Sequence, residues 1–269
     1  MHIYYINLDA RPDRRQFMEE QFARLGLDAE RIVARTPAEI TEAQRDAYCN
    51  PARRWSMTEG QYACNLSHIK AWQTLLASGG HRALILEDDA HLSQSLPRFL
   101  AAVDAQAIDI PLIRIESWPT EPRRYREPDV TVLPDVTLRR CLSHEAGAAG
   151  YILTRAGAMR LAGEPAMNRL LVDSVLFSPF GPARDLATRQ TDPALCVQLR
   201  REDSALPEAA GSLGAGLPEH RAERRRHPLT KFARQVEGWL TYDTLRLRDS
   251  ILQAGWRDVE ERVVPFRAD

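Results

Sequence analysis

Hydrophobic positions along the chain alternate between two periods, and the switches mark out an α/β protein. Ile3 to Leu8 is a compact apolar run, rich in aromatic and β-branched residues and long enough for a strand. Asp9 to Pro12 is turn chemistry, and Asp13 suits an N-cap or first-turn position. Phe17, Phe22 and Leu25 then recur at roughly helical spacing until Gly26 ends the helix. Residues 27–33 read as a second short strand, so the chain opens β-α-β. Residues 34–57 are polar and irregular, with a short helix expected near 41–47. From Gly60 to Ser78 the helical period returns: Cys64, Ser67 or His68, Ala71 and Leu75 share one stripe, and Gly79-Gly80 stops it.

Ala83-Leu84-Ile85-Leu86 is an apolar run that ends in Glu87-Asp88-Asp89, the pattern of a buried strand emptying its carboxyl end into a site. Residues 93–105 suit a helix and Pro111 to Ile115 a strand. Residues 117–129, rich in Pro, Arg and Glu, read as a mobile surface loop. Residues 130–140 supply a hairpin, Gly147 to Thr154 a strand entered through small residues, and Arg155 to Ala162 a short helix. A further helix starts near Asp173, and Ala194 to Leu199 is a last strand. After residue 203 the composition changes. Residues 205–219 carry the Gly, Ala and Pro of a linker, and Arg221 to Arg234 is basic. Trp239, Leu240, Leu245, Leu247, Ile251, Leu252 and Trp256 suit a helical tail. The expected organisation is a domain over 1–204, a linker over 205–219, and a basic, amphipathic helical segment over 220–269.

With 269 residues, 44% hydrophobic and 27% charged, the chain can bury a sizeable core without disulfides. Its net charge of −1 provides no global field for nucleic acid, so electrostatic recognition has to be local. Cys49, Cys64, Cys141 and Cys196 lack C-x-x-C spacing and read as reduced thiols of a cytosolic protein. The N-terminus lacks the long apolar core of a signal peptide, and no stretch approaches the roughly 20 apolar residues of a membrane span. A cytoplasmic location is expected. The basic segment 221–234 reads either as a peripheral contact with the inner-membrane surface or as a solvated helix face.

Three adjacent carboxylates repel one another and need a counter-charge. A hard divalent cation, Mn²⁺ or Mg²⁺, supplies one and shares its shell with substrate phosphates. On an extended backbone Glu87 and Asp89 face one way, as metal ligands, and Asp88 the other. The competing reading is an ordinary acidic turn. Asn7, Leu8 and Asp9, with Arg11, Arg14 and Arg15, sit at the carboxyl end of the first strand, where open α/β sheets bind ligands and arginine can pair with phosphate. A solvated Arg/Asp network is the alternative there. His68 is either a satisfied core residue or part of the site, and Trp72 reads as packing. Gly147 and Gly150 permit either close approach to a ligand or tight strand packing. Asp173 is a helix N-cap by its spacing, and also the best isolated carboxylate for a general base.

Taken together these stretches resemble glycosyltransferase family 25, the lipopolysaccharide and lipooligosaccharide glycosyltransferases. The resemblance runs in order over residues 1–204. Ile6-Asn7-Leu8-Asp9 with Arg11 and Asp13-Arg14-Arg15 resembles the family's opening motif. Gly60 to His68 resembles its Gly-Glu-x-Gly-Cys-x-x-Ser-His block, and Ala83 to Asp89 its strand ending in Glu-Asp-Asp. Ala148 to Leu153 with Gly157-Ala158, then Pro193 to Cys196 and Asp203-Ser204, resemble later blocks. Gln61 and Ala63 depart from the usual Glu and Gly. The resemblance implies a GT-A-like α/β domain with a mixed central sheet, a UDP-sugar donor (commonly UDP-galactose), Mn²⁺ or Mg²⁺, and a lipid-linked oligosaccharide acceptor. On that reading Glu87 and Asp89 hold the metal. Asn7, Leu8, Arg11 and Arg15 line the nucleotide side, His68 and Asp88 shape the floor, and Asp173 is the base. Two alternatives stand beside it: a catalytically silent module of the same fold that binds glycan or protein, and a nucleotidyltransferase. The latter should carry a Gly-rich loop after the first strand, which Asn7 to Arg15 lacks.

Overall fold

The N-terminal apolar run forms β1 (His2–Asn7) in the computed structural model, which describes residues 1–53, 55–118, 122–199 and 258–268 together with Phe232, Val236 and Leu247. Helix α1 (Pro12–Leu25) follows, opened by a proline in its first turn and closed by Gly26 in the left-handed conformation. Strand β2 (Glu30–Val33) then returns parallel to β1, completing the expected β-α-β unit. A single turn, α2 (Glu42–Gln44), runs into a π-helical turn over Arg45–Cys49.

Helix α3 (Glu59–Ser78) begins one residue before the sequence reading and ends at Gly79 as expected. Thr58 caps it: Thr58 Oγ1 accepts from Gln61 N at 3.2 Å, and Gln61 Oε1 accepts from Thr58 N at 2.9 Å. Gln61 therefore fills the reciprocal position of a capping box, a role glutamine and glutamate perform equally.

Strand β3 (Arg82–Glu87) lies parallel to β1, and the chain turns at Asp88-Asp89 into β4 (Ala90–Leu92). Then come α4 (Leu96–Ala105), β5 (Leu112–Arg114), β6 (Arg123–Arg126), β7 (Val130–Leu133) and β8 (Val136–Arg140). Next are β9 (Gly150–Thr154), α5 (Arg155–Ala162) and α6 (Val172–Leu176). Strands β10 (Arg189–Asp192), β11 (Cys196–Gln198) and β12 (Val259–Arg262) complete the set.

Eight strands form one mixed sheet in the order β2-β1-β3-β9-β5-β10-β8-β7, the GT-A-like α/β architecture that the resemblance implies. Period-two alternation divides its side chains between two cores. Tyr4, Ile6, Ile85, Tyr151 and Leu153 face one layer with Trp72 and Leu75 of α3. Ile3, Tyr5, Leu84, Leu86 and Ile152 face the other with Met18, Phe22 and Phe99 of α1 and α4. Because both faces are covered, β3 reads as an unbroken apolar run. Each of its fully buried Leu and Ile side chains contributes about 1.5–3 kcal/mol.

Two regions depart from expectation. The 117–129 segment contains a strand, β6, which pairs antiparallel with β12. Val259 to Arg262, placed by the sequence reading in a helical tail, is that partner strand. The β-branched residues Val259, Val263 and Val264 and the following Pro265 explain the extended backbone. The expected linker, 205–219, and the basic segment, 221–234, lie outside the described residues except for Phe232.

Candidate active site

Parallel β1 and β3 end side by side, and their registered ends bring residues 81 positions apart into contact. Asn7 Nδ2 donates to Asp88 Oδ2 at 2.8 Å and to Arg11 O at 3.1 Å, while its own Oδ1 accepts from Arg31 Nε at 2.9 Å. A fully satisfied, buried Asn7 thus ties the end of β1 to the acidic turn.

Above this junction is a cavity of about 240 Å³. All three acids line it. The strict alternation expected of Glu87, Asp88 and Asp89 stops where the backbone turns. Arg14 Nη1 reaches both Asp88 Oδ1, at 2.9 Å, and Asp89 Oδ2, at 3.1 Å. Glu87 is held from two other sides, by His68 Nε2 at 3.1 Å and by Gln198 Nε2 at 3.1 Å. Strand β11, antiparallel to β4, places Gln198 there, and Leu199 N donates to Asp89 O at 2.9 Å.

Negative charge is in surplus. Burial, then the charge of Asp88, pushes Glu87 up to about 7, and burial, then the charge of Glu87, pushes Asp89 up to about 7. Asp89 Oδ1 is buried with no hydrogen-bond partner. Deeper in, Glu116 is fully buried. One of its oxygens accepts from Ala149 N at 2.8 Å, the other has no partner, and burial raises the group to about 8 against the pull of Arg114. Gly147, at φ +85°, lies so close that a Cβ there would sit 2.5 Å from Glu116 Oε1. The glycine pair is explained by packing: a Cβ on Gly150 would likewise meet Cys196 Sγ at 2.6 Å.

Leu8, Arg11, His68, Glu87, Asp88 and Asp89 all border the cavity, and Asn7 anchors its floor. Arg15 is not brought to it: half-exposed, it pairs with Glu19 one turn along α1 at 2.7 Å. Arg14 takes its place. The signal for that was present in the sequence, because Arg14, Met18, Gln21 and Phe22 follow the helical repeat and the last three are buried. Asp173 sits in the first turn of α6, whose N-cap is Leu171. Its carboxylate accepts from Gly147 N at 3.1 Å and from Ser174 N at 2.6 Å, and its charge is felt at Glu87 and His68. Sequence reasoning did not reach Gln198, Glu116 or Tyr151, whose proximity depends on strand order rather than on local pattern.

A mixed sheet whose parallel strands β1 and β3 end at a cavity, with an acidic turn short of counter-charge on its lining, has the arrangement of a ligand site in an α/β protein. The family model of glycosyltransferase family 25 (LPS biosynthesis protein) matches residues 1–176, and the chain belongs to that family. It is 28% identical over 202 residues to a putative glycosyltransferase of Haemophilus influenzae, covering 73% of this chain and 70% of that one. It is 24% identical over 208 residues to the lipooligosaccharide biosynthesis protein lic2B of Haemophilus influenzae, covering 74% and 76%. Against the lacto-N-neotetraose biosynthesis glycosyltransferase LgtE of Neisseria meningitidis serogroup B it is 26% identical over 246 residues, covering 84% of each. Family members from Aedes aegypti and Anopheles gambiae are longer, and the matches cover 29% and 31% of them. The protein is accordingly a glycosyltransferase.

Proposed function

We propose that the protein transfers a sugar, in our reading galactose, from a UDP-sugar to a growing lipopolysaccharide or lipooligosaccharide acceptor in a metal-dependent, inverting reaction that leaves a β linkage. The observation that carries this reading is the buried carboxylate surplus at Glu87, Asp88 and Asp89, which Arg14 offsets only in part. Oxygen donors short of positive charge fit a hard divalent cation, Mn²⁺ or Mg²⁺, with Glu87 and Asp89 as its ligands. Such an ion, when bound, neutralises charge that grows on the departing UDP.

This chain's own groups do the rest. Arg14, turned towards the acids, is the guanidinium best placed for a diphosphate, and Arg11, which borders the cavity with its Nη2 paired to Asp13 at 2.6 Å, is the second. Leu8, Ala34 and Pro37 add apolar lining of the kind that suits a nucleoside. Asp173, outside the cavity lining but near enough for its charge to act on Glu87 and His68, is the base we assign: it takes the proton of the acceptor hydroxyl while the hydroxyl oxygen bonds to the anomeric carbon. The bond from that carbon to the phosphate oxygen breaks, and UDP leaves with the electron pair. The names of the lipooligosaccharide-building relatives support the acceptor class. Among the described residues no helix is long and apolar enough to cross a membrane. We place the enzyme in the cytoplasm, with the basic residues of 221–234 drawing it to anionic lipid by about 1 kcal/mol per charge near the surface.

UDP release from a panel of UDP-sugars, with Mn²⁺ or with EDTA, tests the reading. Release should require the cation and rise with a lipooligosaccharide acceptor. Release undiminished by EDTA would remove the metal. Binding of UDP-sugar without release from any donor and acceptor pair would favour a silent binding module.

A further inference from the structure

Three buried side chains and one carboxylate form a hydrogen-bonded chain beneath the cavity. Trp72 Nε1 donates to the Tyr151 hydroxyl oxygen at 2.8 Å. That hydroxyl lies 2.9 Å from His68 Nδ1, and His68 Nε2 lies 3.1 Å from Glu87 Oε1. Trp72, Tyr151 and His68 are all buried, so water does not offer substitute partners.

The inventory of hydrogens has one solution that leaves none unpaired. An indole N–H can only donate, so Trp72 uses the Tyr151 oxygen as an acceptor. Tyr151 has a single hydrogen to give, and among the described residues His68 Nδ1 is the acceptor that faces it. Nδ1 is then bare, and a neutral imidazole with a bare Nδ1 carries its hydrogen on Nε2, aimed at Glu87. In the reverse arrangement Nδ1–H would donate to the hydroxyl and strand the phenolic hydrogen in the core without an acceptor, which a buried polar group does not tolerate cheaply.

We propose that Trp72 and Tyr151 are positioning residues: they lock His68 in its Nε2–H tautomer, so that it donates to Glu87 Oε1 and orients that carboxylate for the donor metal. The proposal rests on the reading above that Glu87 is a metal ligand. Gln198 performs the matching task on Glu87 Oε2. Both oxygens are thereby steered by neutral donors, which orient the carboxylate without neutralising it. The same assignment argues against a soft-metal site. Cys64, His68 and Glu87 offer ligand atoms within 4.8 Å of one another, but the histidine nitrogen facing Glu87 carries a hydrogen.

Nitrogen NMR of the metal-free protein labelled with ¹⁵N-histidine reads the tautomer directly. His68, assigned by the signal missing from His68→Gln, should show an unprotonated Nδ1 and a one-bond N–H coupling at Nε2. A protonated Nδ1 or an equal mixture of tautomers overturns the relay. Tyr151→Phe should destroy the tautomer preference. It should also weaken Mn²⁺ binding in the presence of UDP, followed by the EPR signal of free Mn²⁺, by about tenfold or more, with kcat at saturating Mn²⁺ changed far less. Folded Tyr151→Phe with unchanged Mn²⁺ affinity overturns the positioning role. If Tyr151→Phe does not fold, the wild-type tautomer decides. Wild-type protein that shows the Nε2–H tautomer but binds no Mn²⁺ overturns the metal reading, and with it the purpose assigned to the relay. The two failures are therefore separable.

Discussion

Arg14 Nη1 lies 3.1 Å from Asp89 Oδ2, while the other oxygen of that carboxylate is buried without a hydrogen-bond partner. A single guanidinium thus serves a turn carrying more charge than it can balance. Asp89→Asn preserves the shape and removes the charge that burial disfavours. Sugar transfer should fall on the order of 100-fold or more, as when one electrostatic stabiliser is removed from an enzyme site. The metal-free melting temperature should not fall, and Mn²⁺ should no longer raise it. Calorimetry and UDP release on the same preparation check both halves. Transfer that still responds to Mn²⁺ would remove Asp89 from the metal site.

Neighbouring arginines on α1 should behave differently. Arg14 faces Asp88 and Asp89, whereas Arg15 pairs with Glu19 in solvent. Arg14→Ala should raise the KM for the donor about tenfold, equivalent to about 1.4 kcal/mol and close to one charge-assisted hydrogen bond. Arg15→Ala should leave the donor KM and the urea midpoint unchanged, because an ion pair in solvent is screened. Steady-state kinetics of the two variants side by side make the comparison. Equal effects would contradict the assignment of Arg14 to the donor.

The same pair of arginines shows how far the sequence alone reaches. The apolar runs of β1 and β3, and the helix ends at Gly26 and Gly79, are local signals and are legible because local geometry produces them. Arg14 was also within reach, since it shares the helical stripe of Met18, Gln21 and Phe22. Strand β10 was not: Arg189, Gln190, Thr191 and Asp192 contain no apolar residue, and their burial is made tolerable by distant partners such as Arg114 and Arg139. Gln198 reaches Glu87 across 111 residues of sequence through the pairing of β11 with β4. No window of sequence records a contact of that kind. The acids and their need for a counter-charge were visible as a motif, but that Arg14 and not Arg15 answers it, and leaves one Asp89 oxygen without a hydrogen-bond partner, emerged only from the packing around them.

Four buried groups set the response to pH. Burial raises Glu87 from 4.5 to about 7, Asp89 from 3.8 to about 7 and Glu116 from 4.5 to about 8, and burial lowers His68 from 6.5 to about 4. Acids raised in the folded state retain protons that the unfolded chain has already released, so their contribution to stability is lost as pH rises towards 7 and 8. His68 acts in the opposite sense: the unfolded chain gains its proton first, so stability is lost as pH falls through 6.5 towards 4. Between about pH 6.5 and 7.5 the unfolded histidine gives up its last protons and its effect fades, so the three acids outweigh it there and act alone above that range. Metal-free protein should therefore lose melting temperature between about pH 6.5 and 8. Mn²⁺ should stabilise more strongly at the upper end, because its binding displaces the protons on Glu87 and Asp89. Melting curves with EDTA and with Mn²⁺ across that range provide the measurement, and parallel curves would contradict it.

Strand β12 makes the last described residues part of the catalytic domain. It pairs with β6, and Arg262 joins Arg139 on Asp192, at 2.9 and 2.7 Å respectively. Beyond it Val264 is buried against Tyr125, Cys141 and Ala194, and its carbonyl accepts from Ser117 Oγ at 2.9 Å. A chain ending at residue 257 leaves β6 without its partner, uncovers the Tyr125 cluster and frees Ser117, the neighbour of Glu116. Its loss of stability should reach at least about 2 kcal/mol, the burial of Val264 alone being worth about 1.5–3 kcal/mol. Val264→Ala should account for about half of that loss, since only part of the side chain is removed. Urea midpoints of the full chain, the truncated chain and Val264→Ala would rank the three. A truncated chain as stable as the full one would mean that the strand merely rests on the domain and does not help to hold it together.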